Sequence, residues 1–236
     1  MCTVSFVNSE GRIFITSNRD ENIIRPSAIP PKNYTVKGKN VIFPKDPKAG
    51  GTWYIVDEEG TVLVLLNGAE EKHERKSSYR KSRGLIVLEL MSENSPKDFW
   101  EQIDLENIEP FTLVLFQNNQ LFQLRWNGTN KEKLVLDPNK KHIWSSSTLY
   151  SNSIRKERAD LFYAFLENKG LLSETDMYQF HRYADQENTE NGLVINRNGE
   201  TKTLSITQSI IEKNKVAILH YDLITNEDFS TSFIIV

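Results

Sequence analysis

At 236 residues the chain is long enough to bury one sizeable core, and no Pro/Gly/Ser-rich linker, repeat or low-complexity tract divides it. Its 29 basic and 32 acidic side chains give a net charge of -3, spread along the sequence, which argues against nucleic acid or an anionic membrane surface as partner, since both require a basic face. The single cysteine excludes an internal disulfide, and with four scattered histidines no metal-ligand spacing exists, so neither metal nor cofactor is expected. One domain over 1–236 is expected.

The chain starts Met1-Cys2-Thr3-Val4-Ser5, without a charged and then apolar leader, and no apolar run approaches the about 18 residues of a membrane span. A cytoplasmic protein is expected, in which the thiol stays reduced. Cys2 to Val7 is short, β-branched and aromatic, which suits a strand, and Arg12 to Ser17 is a second one across the turn Asn8-Ser9-Glu10-Gly11. With a two-residue loop at Glu10-Gly11, Cys2 lies opposite Arg19. A loop one residue longer or shorter brings Asn18 or Asp20 opposite instead. Either way Asn18-Arg19-Asp20-Glu21 ends beside the amino terminus.

Pro26, Pro30, Pro31 and Pro44 predict an irregular stretch over 22–48. Gly50-Gly51-Thr52-Trp53 opens a strand through Val56. After the turn Glu58-Glu59-Gly60, Thr61–Leu66 reads as a buried strand ending at Asn67-Gly68. Lys72 to Arg83 is basic, but Glu70, Glu71 and Glu74 dilute it into a solvated face. Helices follow over Arg83–Met91, with Leu85, Leu88 and Met91 on one face, and from the Ser95-Pro96 start to about Ile103. A hairpin spans Thr112–Gln117 and Gln120–Trp126, and Lys133–Leu136 and His142–Ser145 are further strands. Ser153–Asn168 is a helix with Ile154, Leu161, Phe162 and Phe165 inward, ended by Gly170. Ser173 caps the next, with Met177, Phe180 and Tyr183 inward. Strands over Thr203–Ser209, Lys215–Leu223 and Thr231–Val236 close the chain. Hairpin-linked strands with segregated helices indicate an α+β fold of two mainly antiparallel sheets between helix layers.

Position makes Cys2 the leading chemical candidate. Removal of Met1 leaves a thiol and a free α-amine on one residue, and the amine, with a reference pKa of about 7.7–8, takes the thiol's proton. Asp20 suits a carboxylate that accepts from the ammonium and orients it. Arg19 suits a cation that lowers the thiol pKa or clamps a substrate carboxylate. Asn67, at the end of a buried strand, offers an amide to an oxyanion, although Asn67-Gly68 also reads as a simple hairpin turn.

Cys2, Asn18-Arg19-Asp20-Glu21, Gly50-Gly51-Thr52-Trp53, Asn67-Gly68 and Ser82-Arg83-Gly84 stand in the order and rough spacing of the NRDE family, that of transport and Golgi organisation 2, which this chain resembles. The resemblance is specific to about residue 90 and continues weakly to the end. It implies the amino-terminal nucleophile hydrolase fold, a four-layer αββα sandwich, and similarity at the start to cysteine-type acylases. It implies Cys2 as nucleophile, Asp20 beside the free amine, Asn18 two places before it and Asn67 at the oxyanion, with Trp53, Arg83 and Ser146 toward the substrate. Ser17 stands where the acylases carry Arg, Ser146 where they carry a second Asn, and no late Arg matches theirs.

Two functions are expected from these residues. One is a cysteine hydrolase of a non-peptide amide bond in a small N-acyl compound, through an acyl-enzyme on Cys2. The other, implied by the resemblance, is a non-catalytic binding or carrier protein for haem or an acyl-CoA-type hydrophobic metabolite. The sequence carries no sign of oligomeric state.

Overall fold

A computed structural model of the protein describes residues 3–235. The catalytic expectation for Cys2 therefore falls outside the described residues, as do Met1 and Val236. Two compact units form, one from the chain up to Arg25 together with Asn139–Ile234, the other from Pro26–Pro138.

The first unit opens with β1 (Thr3–Ser9) and β2 (Arg12–Asn22). Glu10 and Gly11 both take positive φ, +52° and +85°, the two-residue turn whose twist matches its strands. It sets Ser9 opposite Arg12 and Thr3 opposite Asn18, the register expected for a Glu10-Gly11 loop.

In the second unit the irregular stretch expected over 22–48 is instead largely a hairpin, β3 (Ile29–Val36) and β4 (Lys39–Lys45), turned by Lys37 and Gly38 at positive φ. Pro30 and Pro31 fit because β3 is the sheet's edge strand, where a missing N–H breaks no ladder, and they sit where the register shifts between Ile29 and Lys32, while Pro44 on β4 lies at the same shift and beyond the Val41–Ile42 pairing with β5. The sheet runs as an antiparallel meander through β5 (Tyr54–Asp57), β6 (Val62–Asn67), β7 (Phe111–Gln117), β8 (Gln120–Trp126) and β9 (Lys131–Leu136). Between β6 and β7 lie helices α1 (Arg83–Met91) and α2 (Pro96–Gln102). A Cβ on Gly51 would stand 2.4 Å from the Gly84 carbonyl carbon, and Thr52 N–H donates to Gly84 O at 3.2 Å. This contact between the start of α1 and the segment before β5 explains both glycine motifs sterically. Of the expected Leu85–Leu88–Met91 face only Met91 is buried, together with Ile86, Val87 and Leu90, while Leu85 and Leu88 are partly buried.

The chain returns to the first unit through β10 (His142–Ser145), which pairs β1, then α3 (Asn152–Glu167) and α4 (Asp176–Tyr183). The residue that precedes α4 as its cap is Thr175, not the expected Ser173, whose backbone N–H and hydroxyl instead both donate to Asp176 Oδ2 at 2.6 and 2.7 Å. Four strands follow: β11 (Asn196–Arg197), β12 (Thr201–Glu212), β13 (Lys215–Asp222) and β14 (Glu227–Ile234). Their sheet runs β10-β1-β2-β12-β13-β14, with β11 beside β12. Val7, Phe14 and Ile210 from one face of it pack with Phe162 and Leu166 of α3 and Met177 and Phe180 of α4. The inward stripe of α3 is Arg158, Phe162 and Leu166, so a charged residue replaces an expected apolar one and Leu161 is exposed. In α4, His181 is buried instead of Tyr183. With helices grouped rather than alternating with strands, the two seven-stranded antiparallel sheets are of the expected α+β class.

Candidate active site

Strand alternation splits the Asn18-Arg19-Asp20 run between the two faces of the first unit's sheet. Asn18 and Asp20 lie on the helix-packed face and Arg19 on the other. All three are buried.

Asp20 is held by both oxygens. Tyr150 donates its hydroxyl to Oδ2 at 2.8 Å and Thr203 donates to Oδ1 at 2.5 Å. Both donors are neutral hydroxyls. Tyr150 is placed by the turn after β10, where its N–H donates to the carbonyl of Ser146 at 3.1 Å. Ser146 is buried, with its hydroxyl 2.8 Å from that of Thr148. It directly follows Ser145, which lies opposite Thr3. The expected residues Asn18, Asp20 and Ser146 are thus gathered around the start of β1.

Asn18 is fully occupied. Its Nδ2 donates to the carbonyls of His181 at 3.1 Å and Leu193 at 2.7 Å, and its Oδ1 meets His181 Nδ1. Because Oδ1 can only accept, Nδ1 carries the imidazole proton, and Nε2 accepts the hydroxyl of Ser5 at 2.7 Å. Burial first, and then the Arg158 guanidinium, pushes His181 down to about 3, so the ring is neutral. The Ser5–His181–Asn18 chain ties α4 to β1 and β2. With both ring nitrogens engaged, His181 has none left for a metal or haem.

Arg19 lies opposite Ser205 on β12. On the same face Thr207 lies opposite both Ser17 and His220, and its hydroxyl is 2.8 Å from His220 Nδ1. Burial, opposed by Asp222 and reinforced by Arg19, pushes His220 down to about 4. Among the described residues no three potential ligands group in a way that could hold a metal ion, and no helix is long and apolar enough to cross a membrane.

Asn67, Trp53 and Arg83 belong to the second unit. Asn67 ends β6 opposite Phe111, so Asn67-Gly68 is not a hairpin turn: the helices intervene before the chain returns as β7. Gly68 N–H and Arg83 Nη1 both donate to Pro110 O, at 3.0 and 3.2 Å. The other arm of Arg83 pairs with Glu109 at 3.1 Å, which also meets His73 at 3.4 Å. Trp53 is buried, and its carbonyl accepts Leu65 N–H at 2.9 Å.

Sequence reasoning missed Tyr150, Thr203 and Arg158. Tyr150 sits in a polar loop without a motif, and an isolated Arg on a helix reads as solvated, so neither gives a signal. Thr203 was placed only as the start of a strand.

A family model described as Transport and Golgi organisation 2 matches residues 1–214. No curated protein matches the chain. Among solved structures the chain is similar to the C2A mutant of the conjugated bile acid hydrolase from Clostridium perfringens, at TM-score 0.56 and 10% identity over 98% of this chain and 92% of that one. It is also similar to the Caenorhabditis elegans ortholog of N-acylethanolamine-hydrolyzing acid amidase, at TM-score 0.62 and 11% identity over 88% and 92% of the two chains. At these identities the likeness is one of fold.

Proposed function

This chain belongs to the Transport and Golgi organisation 2 family, and we propose that it hydrolyses the amide bond of a small N-acyl compound through the thiol of Cys2. The observation that supports this most directly is the buried Asp20 carboxylate, fixed by two neutral donors two residues beyond the strand partner of Thr3. Its fold is also that of amide hydrolases.

In this reading Met1 is removed and Asp20 accepts a hydrogen bond from an N–H of the new, neutral α-amine. The α-amine takes the proton of the thiol, and the thiolate attacks the acyl carbonyl. The tetrahedral intermediate collapses as the amine leaving group takes that proton, leaving a thioester on Cys2. Water, deprotonated by the same α-amine, then releases the carboxylic acid. Asn67 retains, from its place in the sequence, the proposed role of oxyanion donor, and Arg19 that of a cation toward the thiol or substrate.

The reading is tested with a panel of N-acyl amides that varies acyl length and amine, N-acyl amino acids and N-acylethanolamines included. The wild-type protein hydrolyses at least one and Cys2→Ala none. A panel on which both proteins are equally inert contradicts it.

A further inference from the structure

One buried guanidinium reaches both arms of this site. Arg158 is 1% exposed. Its Nη1 donates at 2.5 Å to the hydroxyl of Thr3, the residue that follows Cys2. Its guanidinium carbon lies 3.6 Å from the centroid of the Tyr150 ring, whose hydroxyl donates to Asp20. Arg197 approaches the same ring, 5.1 Å from its centroid. The remaining arms of Arg158 donate to the carbonyls of Asn191, at 3.0 Å, and Gly192.

Among the described residues no carboxylate pairs with Arg158, and a buried charge without a counter-ion is costly. The position, on one stripe with Phe162 and Leu166, suits an aliphatic side chain at no such cost. What the charge supplies is found in its contacts. A cation over an aromatic face is attracted to its π-electrons and withdraws density from the phenol, which makes the hydroxyl a stronger donor to Asp20. The guanidinium fork meanwhile fixes the start of β1 to the same ring. We propose that Arg158 and Tyr150 are positioning residues of the Cys2 site, holding Asp20 and the nucleophile-bearing end of β1 in one geometry. This rests on the reading of Cys2 as nucleophile.

Among the described residues, the charged and titratable groups around Asp20 include the phenol of Tyr150, with Arg158 and Arg197 behind its ring, and His181, neutral, in the field of Arg158. Without the Tyr150 hydroxyl, Asp20 Oδ2 is no longer held in the geometry that orients the α-amine. The test is timed alkylation of the protein's sole thiol by iodoacetamide across pH, read by intact mass. Tyr150→Phe moves the acid limb of Cys2 alkylation to higher pH by about one pH unit, about tenfold in rate on that limb. Arg158→Met does the same, and Arg158→Lys falls between it and wild type. Tyr163→Phe, on the same helix as Arg158, removes a phenol whose hydroxyl donates to Lys141 O, and leaves the profile unmoved.

Superposition of the Tyr150→Phe and wild-type profiles overturns the inference while the proposed function stands. A wild-type thiol no faster than a free one overturns both. If Arg158→Met does not fold, Tyr150→Phe, which loses a single oxygen, decides alone.

Discussion

Thr203 lies opposite Asp20 and donates to it, yet Ser205, two residues on, lies opposite Arg19. Residues two apart on a strand normally share a face. The register shift between Thr203 and Ser205, with Leu204 as the extra residue, turns one side chain to the helix-packed face and the other away. This β-bulge aims a hydroxyl at the carboxylate, a use of bulges common beside active sites.

Thr203→Val leaves Asp20 Oδ1 without that donor and Ile195 N–H without its acceptor, which now bonds the Thr203 hydroxyl at 2.9 Å. A loss of about 1–3 kcal/mol in urea unfolding is expected. Thr203→Ser, which keeps the oxygen, stays within about 1 kcal/mol of wild type on the same principle. Equal stability of Thr203→Val and wild type would remove Thr203 from the account.

Gly51→Ala and Gly84→Ala each drive a Cβ into backbone, at 2.4 and 2.8 Å from the nearest atoms. Each is expected to destabilise by about 1–3 kcal/mol or more through overpacking. Gly170→Ala, with nothing within 4 Å of the new Cβ, is expected to be neutral or slightly stabilising. Thermal unfolding of the three variants separates a steric need for glycine from a catalytic one.

His181 and His220 fold as neutral rings, lowered from 6.5 to about 3 and about 4. The unfolded chain therefore binds more protons than the folded one once the pH falls below about 6.5. Their contribution is complete above that value and is lost progressively as the pH drops toward the folded values. At about pH 5 each costs about 2 kcal/mol. Urea midpoints at neutral pH and near pH 5 are expected to differ accordingly, and His181→Gln is expected to flatten part of the dependence. Equal pH slopes in wild type and His181→Gln would show that the ring titrates normally.

Asn18 and Asp20 separate by readout. Asn18→Ala strips three hydrogen bonds from the Leu193–His181 anchor and is expected to lower stability by about 2–4 kcal/mol. Asp20→Asn keeps the shape and is expected to lose the thiol's fast alkylation while remaining folded, as judged by circular dichroism. Fast alkylation in Asp20→Asn would take Asp20 out of the chemistry.

The first hairpin was legible because Glu10-Gly11 fits one turn type, and that turn alone fixes which residue faces Thr3. The β6 strand and α3 were legible from unbroken apolar character and from 3.6-residue periodicity. The phase of α1 was not, because Leu85 to Leu90 is apolar nearly all round. The β3–β4 hairpin was hidden by prolines that an edge strand tolerates. The inward turn of Arg158, the bulge at Leu204 and the reach of Tyr150 to Asp20 join residues 130 to 183 positions apart, and such pairings leave no local pattern. Asn18-Arg19-Asp20 was readable as a site, whereas the groups that hold Asp20 come into view only in the fold.

The most direct measurement is an intact-mass spectrum of the purified protein before and after brief iodoacetamide treatment at about pH 6.5, two units below the free thiol's reference value of about 8.5. The account predicts a chain lacking Met1 and fully carbamidomethylated within the pulse. A chain that retains Met1 contradicts it, because no α-amine would then serve Cys2, and so does a thiol that stays unmodified, because the α-amine would then not activate it.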